Sequence, residues 1–272
     1  MIDLMVGYFK SFFQYPSVWG ISLAIVFGAV WLAGYRPPLF KKPWLWAVLV
    51  GSAFLTLAAI CFIQIPLHVW AGQALGHFWS QEVLMRWILL AAIPQIFLGG
   101  LVQEGAKLVP MVVYWRRSSK NIDPKLGLAI GAVAGAGFGI FETQWALNGV
   151  FASGWTWAAV QTGGFWALAP FWERFFFIAA QIAFSALAGY GLAKGWGWQF
   201  YLIASFLHGL LNYGAILWQA AVLTDVHTEI YIAVLAALVT AWALWLRWRK
   251  GTAAITTETA AETKTETEIS AP

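Results

Sequence analysis

Residues 98–115 read LGGLVQEGAKLVPMVVYW, an apolar run that is interrupted by one short polar segment at residues 103–107. The apolar run extends upstream as far as Met85. An amide, a carboxylate and an ammonium are stable in such surroundings only where other polar groups pair with them. The stretch therefore predicts a helix inside a larger helical assembly, with its polar face turned toward other helices.

The composition indicates that the surrounding solvent is a lipid bilayer. Of the 272 residues, 61% are hydrophobic and 10% are charged, and the mean hydropathy is +0.70. Soluble domains are about half apolar and about a quarter charged. Many of the 19 tryptophans lie at the ends of apolar runs, where their rings anchor helices at the headgroup level. We predict an all-α fold, a polytopic membrane helical bundle.

Seven segments are apolar over about the 20 residues that a membrane-spanning helix needs. The third segment is longer than required, and Pro94 or the Gly99–Gly100 pair kinks or divides it, so eight spans are the alternative. The predicted spans are 17–35, 44–66, 84–115, 126–147, 165–193, 197–219 and 229–247.

The distribution of lysine and arginine predicts the orientation of the spans. Basic and non-basic loops alternate along the chain, which places the N-terminus outside and the C-terminus in the cytoplasm, with the cytoplasmic membrane as the default location. These loops account for the net charge of +4, so nucleic-acid binding is not predicted. The transmembrane domain covers residues 1–250, and the Thr- and Glu-rich tail at 251–272 is expected to be disordered.

Four consecutive spans carry a polar or ionisable residue at a similar depth. At about 1.5 Å per residue, Gln103 and Glu104 lie roughly 18 Å from the cytoplasmic end of their span, and Glu142 lies roughly 22 Å deep. Gln181 and His208 both lie about 18 Å deep on the same measure. An ionisable group at the centre of a membrane helix costs about 2.5 kcal/mol or more, so the clustering predicts a shared site or a water-filled cavity.

The same residues lie on faces that suit helix packing. Glu142 shares a face with small residues, His208 is one turn from Asn212, and Gln181 lies in line with Ser185. Small residues at this spacing let a neighbouring backbone approach closely. They recur every four positions in the fourth span: Gly127, Gly131, Gly135 and Gly139.

Each polar residue taken alone has a simpler explanation. Glu104 pairs with Lys107 three residues later, or Lys107 extends toward the cytoplasm, and Gln181 makes an interhelical hydrogen bond worth about 1 kcal/mol. Three histidines fall in predicted outside loops without ligand-like spacing and are set aside: His68, His77 and His227. The shared depth and face are what favour a common site.

Four motifs follow one another along the central spans: Gln103-Glu104-x-x-Lys107, Phe138-x-x-x-Glu142, Arg174 before Gln181, and His208-x-x-x-Asn212. Over residues 84–219 this order resembles the PrsW family of intramembrane metalloproteases, which is related to the CAAX prenyl proteases. The resemblance implies cleavage of a membrane protein or peptide. It also implies a divalent metal ion such as zinc, for which Glu142 and His208 are the expected ligands and Glu104 and Asn212 are further candidates.

A catalytic hypothesis assigns a role to each of these side chains. Glu104 or Glu142 deprotonates a water molecule, while His208 and Asn212 stabilise the oxyanion of the tetrahedral intermediate. Four residues are expected to support them, Lys107 by offsetting charge near Glu104 and the amides by orienting water or substrate: Gln103, Lys107, Arg174 and Gln181.

Two positions depart from the motifs of the family. Gln103 stands where the family has the first glutamate of a pair, and the lone histidine of the family falls at or beside Gln181. An amide cannot act as a general base and is a poor zinc ligand. A catalytically inactive pseudoprotease that binds a membrane partner is therefore the alternative function. A small-solute transporter is a further alternative, although the chain shows no convincing internal repeat.

Overall fold

The computed structural model describes residues 1–249, and the regular structure in that range is helical throughout. Seven apolar helical segments are long enough to cross a membrane, which confirms the predicted all-α polytopic bundle. The predicted disordered tail at 251–272 lies outside the described residues.

Twelve α-helices make up this bundle, with a π-helical turn at Ile60–Gln64 and a 3-10 turn at Gly164–Leu168. The helices are α1 (Ile2–Ser11), α2 (Val18–Tyr35), α3 (Trp44–Ala59), α4 (Ile65–Phe78), α5 (Gln81–Arg86), α6 (Ile88–Ala91), α7 (Ile93–Arg117), α8 (Pro124–Ala152), α9 (Trp157–Gly163), α10 (Ala169–Ala193), α11 (Gly197–Gln219) and α12 (Asp225–Trp248).

Several helix ends follow directly from the local sequence. The Asp123 side chain caps α8 by accepting a hydrogen bond from the Leu126 amide at 2.9 Å, and Pro124 occupies the first turn, where its missing N–H does no harm. The α2 helix ends where Arg36 adopts a left-handed backbone conformation, and two prolines follow. The Asp123 cap and the left-handed Arg36 thus mark where the apolar helices α8 and α2 begin and end.

Helices α8 and α10 form the centre of the bundle, and most of their residues are buried. They approach closely because α8 presents glycine wherever the α10 backbone comes near. A Cβ atom on Gly127 would lie 2.7 Å from the Gly189 carbonyl oxygen, and one on Gly131 or Gly135 would overlap carbonyl oxygens of α10. The glycine stripe predicted in the fourth span is thus a contact surface for α10.

The second and third spans differ from their predicted bounds. The second is one continuous helical segment from Trp44 to Phe78, because the π-helical turn carries the chain past Gln64 without a break. His68 and His77 therefore lie in α4, and His227 lies in the first turn of α12, so the prediction that these histidines occupy loops is wrong. The third span is interrupted at Trp87 and Ala92, and α7 then runs straight through Gly99 and Gly100.

Contacts at the two ends of the bundle agree with an alternating topology. At one end the Arg247 guanidinium donates to the Tyr35 carbonyl oxygen at 2.7 Å, and the Trp248 indole donates to the Gly34 carbonyl oxygen at 3.0 Å. At the other end the Ser17 amide donates to the Asn148 side chain at 3.1 Å. The ends of α2 and α12 that carry Arg36 and Arg247 therefore lie on one side of the bundle, and Ser17 and Asn148 lie on the other.

Candidate functional site

Glu104 is fully buried and accepts hydrogen bonds from side chains of three helices, α7, α10 and α11. Its Oε1 atom lies 2.5 Å from Lys107 Nζ and 2.7 Å from His208 Nδ1, while its Oε2 atom accepts from the Ser185 hydroxyl at 3.2 Å. An ionised carboxylate only accepts hydrogen bonds, so His208 Nδ1 carries its proton in this arrangement. The predicted i+3 pairing of Glu104 with Lys107 is thus present. Ser185 on α10 and His208 on α11 supply the other two donors to the carboxylate.

A hydrogen-bonded chain connects this buried pair to Glu142 on α8. Lys107 Nζ also donates to Gln181 Oε1, and Gln181 Nε2 donates to Glu142 Oε2 at 3.0 Å. Because an ammonium has no acceptor, Lys107 fixes which end of the Gln181 amide faces it, and the NH₂ group must then face Glu142. Gln181 therefore acts as a positioning group between two carboxylate-bearing helices.

Glu104, Lys107, Gln181, Ser185 and His208 form what we call the buried cluster. The predicted residues divide between this buried cluster and a cavity of about 620 Å³. Glu142, Arg174 and Asn212 line the cavity, together with parts of the second, third and seventh spans. Glu104 and His208 are not among the lining residues, and each is at most 1% exposed. The four predicted catalytic residues therefore fall into two groups: Glu142 and Asn212 line the cavity, whereas Glu104 and His208 are buried away from it.

Acidic side chains outnumber basic ones among the residues that line the cavity. Arg174 is its one guanidinium; it pairs with Glu173 and stacks over the Phe177 ring, with 4.5 Å between the guanidinium carbon and the ring centroid. Four carboxylates line the same space, and the one on Asp225 accepts a hydrogen bond from Trp218. They belong to Glu142, Glu173, Asp225 and Glu229.

Two residues of the second span belong to the site although the sequence analysis left them out. Gln64 accepts a hydrogen bond from Gln103 at 3.1 Å, and both Gln64 and His68 line the cavity. A signal was present in the sequence, because Gln64 and His68 are four residues apart, as are Gln95, Gly99 and Gln103 on α7. The predicted span ended at residue 66, which left His68 outside it, although Gln64 lay within it.

The side chains present do not fit the divalent metal site that the resemblance implies. The Lys107 ammonium bonds to the same Glu104 oxygen that faces His208, and a cation there competes with a metal ion for the carboxylate. Within residues 1–249, no three side chains among His, Cys, Asp and Glu come close enough together to hold a metal ion. Glu142 and His208, the two expected ligands, bond instead to Gln181 and Glu104.

Comparison of the chain with protein-family models, with curated proteins and with solved structures found no significant match. The helices and their composition nevertheless define the class of protein to which the chain belongs. It is a multi-pass α-helical membrane protein, with a buried ion pair near a cavity between its helices that several polar side chains line.

Proposed function

We propose that the chain is an intramembrane peptidase that resembles the PrsW family in the order of its motifs. The observation that carries this proposal is the placement of Glu142, whose carboxylate is oriented by Gln181 and lines the cavity together with Asn212 and Arg174. A general base must reach the water that it deprotonates, and among the two predicted candidates Glu142 meets that condition, whereas the buried Glu104 does not.

The proposed reaction is hydrolysis of a peptide bond of a membrane protein or peptide in the cavity. Glu142 takes a proton from water as the oxygen attacks the carbonyl carbon, and the Asn212 amide and Arg174 guanidinium stabilise the developing oxyanion. Glu142 then gives the proton to the departing nitrogen as the C–N bond breaks. In this scheme Lys107, Glu104 and His208 hold Gln181 in place, and no step requires a metal ion.

A substrate segment with basic side chains suits the cavity, because four carboxylates and one guanidinium line it. The proposed orientation remains the one predicted from the loops, with the N-terminus outside and the C-terminus in the cytoplasm, in the cytoplasmic membrane. The cavity then lies in the outer half of the bundle, near the beginnings of α10 and α12.

Replacing Glu142 with glutamine tests the proposed chemistry. The full chain is reconstituted in liposomes with a library of membrane-spanning peptides in water enriched in oxygen-18, and products are identified by mass spectrometry. We expect peptides with one heavy oxygen at a new carboxyl terminus, and we expect E142Q to lower their rate of formation about 100-fold or more. The matched control is E82Q, which makes the same change at an exposed residue and should leave the rate unchanged.

Two results would contradict this proposal. Cleavage that continues at the wild-type rate in E142Q would remove Glu142 from the chemistry. Stoichiometric metal in the purified protein, measured by elemental mass spectrometry and lost in E142Q and H208A, would require a metal-dependent reaction in place of the one described.

The second candidate function is a non-catalytic protein that binds a membrane partner in the same cavity. The burial of Glu104 supports it, because a carboxylate bonded to Lys107, His208 and Ser185 and closed off from the cavity stabilises a structure without reacting. A photoreactive amino acid in place of Trp166, which lines the cavity, should then crosslink a membrane peptide that remains intact. The neighbouring Phe165, which is 87% exposed and does not line the cavity, provides the matched control position.

A further inference from the structure

Two arginine side chains meet at one tryptophan ring where helices α2 and α12 end. The Arg36 guanidinium carbon lies 4.9 Å from the centroid of the Trp248 ring, and the Arg247 guanidinium carbon lies 5.2 Å from it. The two guanidinium carbons are therefore no farther apart than the sum of these two distances. We call these three residues the arginine clamp. None of them lines the cavity, and none of the hydrolytic steps proposed above uses them.

Hydrogen bonds hold the arginine clamp at the C-terminus of α2. Arg247 Nε donates to the Tyr35 carbonyl oxygen at 2.7 Å, and Arg247 Nη2 donates to the Arg36 carbonyl oxygen at 3.4 Å. The Trp248 indole donates to the Gly34 carbonyl oxygen at 3.0 Å. These contacts give Arg247 and Trp248 a structural role, because they bond to carbonyl groups that the end of a helix leaves without partners. Within residues 1–249, the Arg36 guanidinium and Arg247 Nη1 have no hydrogen-bond partner.

The positive charge of the arginine clamp is not neutralised by an ion pair among the described residues. The ion pairs within residues 1–249 all lie elsewhere, in the buried cluster and at the cavity. Asp123 is an acidic residue whose charge acts on Arg247, but its carboxylate caps α8 by accepting from the Leu126 amide. Two like charges that are held near each other repel, and an anion that contacts both of them removes the repulsion. The clamp is therefore suited to an anionic ligand.

The position of the clamp in the bundle indicates which anion is available. Arg36 directly follows the apolar helix α2, and Trp248 is the last residue of the apolar helix α12, so the clamp lies at the level of the lipid headgroups. Phospholipid phosphates lie at that level. A guanidinium matches phosphate geometry because its planar fork can donate two parallel hydrogen bonds to the oxygens. A guanidinium over an aromatic ring keeps the N–H groups in its own plane available for such bonds.

We propose that the arginine clamp binds the phosphate of an anionic phospholipid at this side of the bundle. Arg36 and Arg247 Nη1 donate to the phosphate oxygens, and the Trp248 ring, which is 49% exposed, packs against the lipid. An anionic headgroup is favoured over a zwitterionic one, because it carries no positive charge that would repel the arginines. The leaflet is the cytoplasmic one in the orientation proposed above. The inference does not require that the protein hydrolyses a peptide bond.

Replacing Arg36 with glutamine tests this proposal, because the exposed Arg36 side chain donates no hydrogen bond within residues 1–249. The full chain in detergent is titrated with phosphatidylglycerol or phosphatidylcholine, and native mass spectrometry measures the dissociation constant of the first bound lipid. We expect the wild type to prefer phosphatidylglycerol, and we expect R36Q to bind it about tenfold more weakly, because a hydrogen bond to a charged group is lost. The same affinity in R36Q and in the wild type would overturn the proposal.

Two further variants separate the arginine clamp from the overall positive charge. R117Q removes an exposed arginine at the end of α7, a helix end that the proposed orientation also places in the cytoplasm, and it should leave the affinity unchanged. R36K retains the charge but loses the planar fork, so it should bind phosphatidylglycerol more weakly than the wild type. Equal weakening in R117Q and R36Q, or an R36K protein that binds as tightly as the wild type, would overturn the proposal.

The same titration distinguishes two other anions that could neutralise the clamp. Inorganic phosphate at the concentration of the lipid should not displace phosphatidylglycerol, and displacement would assign the clamp to a soluble phosphate. A full-length variant with four glutamates of the 251–272 segment changed to glutamine should bind phosphatidylglycerol as the wild type does: Glu258, Glu262, Glu266 and Glu268. A higher affinity in this variant that is lost again on adding R36Q would assign the arginines to these carboxylates. Either assignment would overturn the proposal.

Discussion

Replacing Lys107 with methionine is expected to destabilise the protein by about 3 to 5 kcal/mol, the usual cost of removing one partner from a buried ion pair. Lys107 and Glu104 are both 0% exposed, and Lys107 also holds Gln181. Without the ammonium, the Glu104 carboxylate remains in the interior with only His208 and Ser185 as donors. The free energy of unfolding from a reversible SDS titration measures the loss.

A double variant determines whether charge or packing causes that loss. In the E104Q and K107M double variant neither charge remains, and a glutamine at position 104 still bonds to its neighbours through its amide. We therefore expect the double variant to be more stable than K107M alone, although K107M carries fewer changes. K41M, the same substitution at an exposed lysine, should have little effect. A K107M protein as stable as K41M would mean that the ion pair contributes nothing to the fold.

Substituting alanine for Gly131 is expected to cost about 1 to 3 kcal/mol, the range found for overpacked interiors. The added methyl group would overlap the Ser185 carbonyl oxygen of α10, and a main-chain atom cannot turn aside as a flexible side chain does. Helices α8 and α10 must then separate. The unfolding midpoint in detergent measures the effect.

The same substitution should also disturb the buried cluster, because Ser185 bonds to Glu104 and the neighbouring turn of α10 carries Gln181. Gly149→Ala on the same helix is the matched control, since a Cβ atom there meets nothing within 4 Å. Alanine is the better helix former, so G149A should be neutral or slightly stabilising. Equal stability of G131A and G149A would show that close approach at Gly131 does not limit the packing of α8 on α10.

The local sequence was sufficient to predict how many helices are long and apolar enough to span a membrane, although not all of their bounds. The lengths of the apolar runs predicted seven spans, because every helix that crosses a bilayer needs about 20 apolar residues. The glycines at four-residue intervals predicted the packed face of α8, because their spacing is a property of one helix. Depth along each helix also predicted that Glu104, Gln181 and His208 lie close together, as their hydrogen bonds confirm.

Only the tertiary structure decided which of these polar residues is buried and which faces the cavity. His208 and Asn212 are one turn apart on α11, yet His208 bonds to Glu104 while Asn212 lines the cavity, because other helices cover one residue and not the other. His68 was set aside because its span was predicted to end at residue 66, and the π-helical turn that carries the helix onward has no pattern visible in the sequence. Burial depends on neighbouring helices, and the sequence of a single helix does not specify which neighbours pack against it.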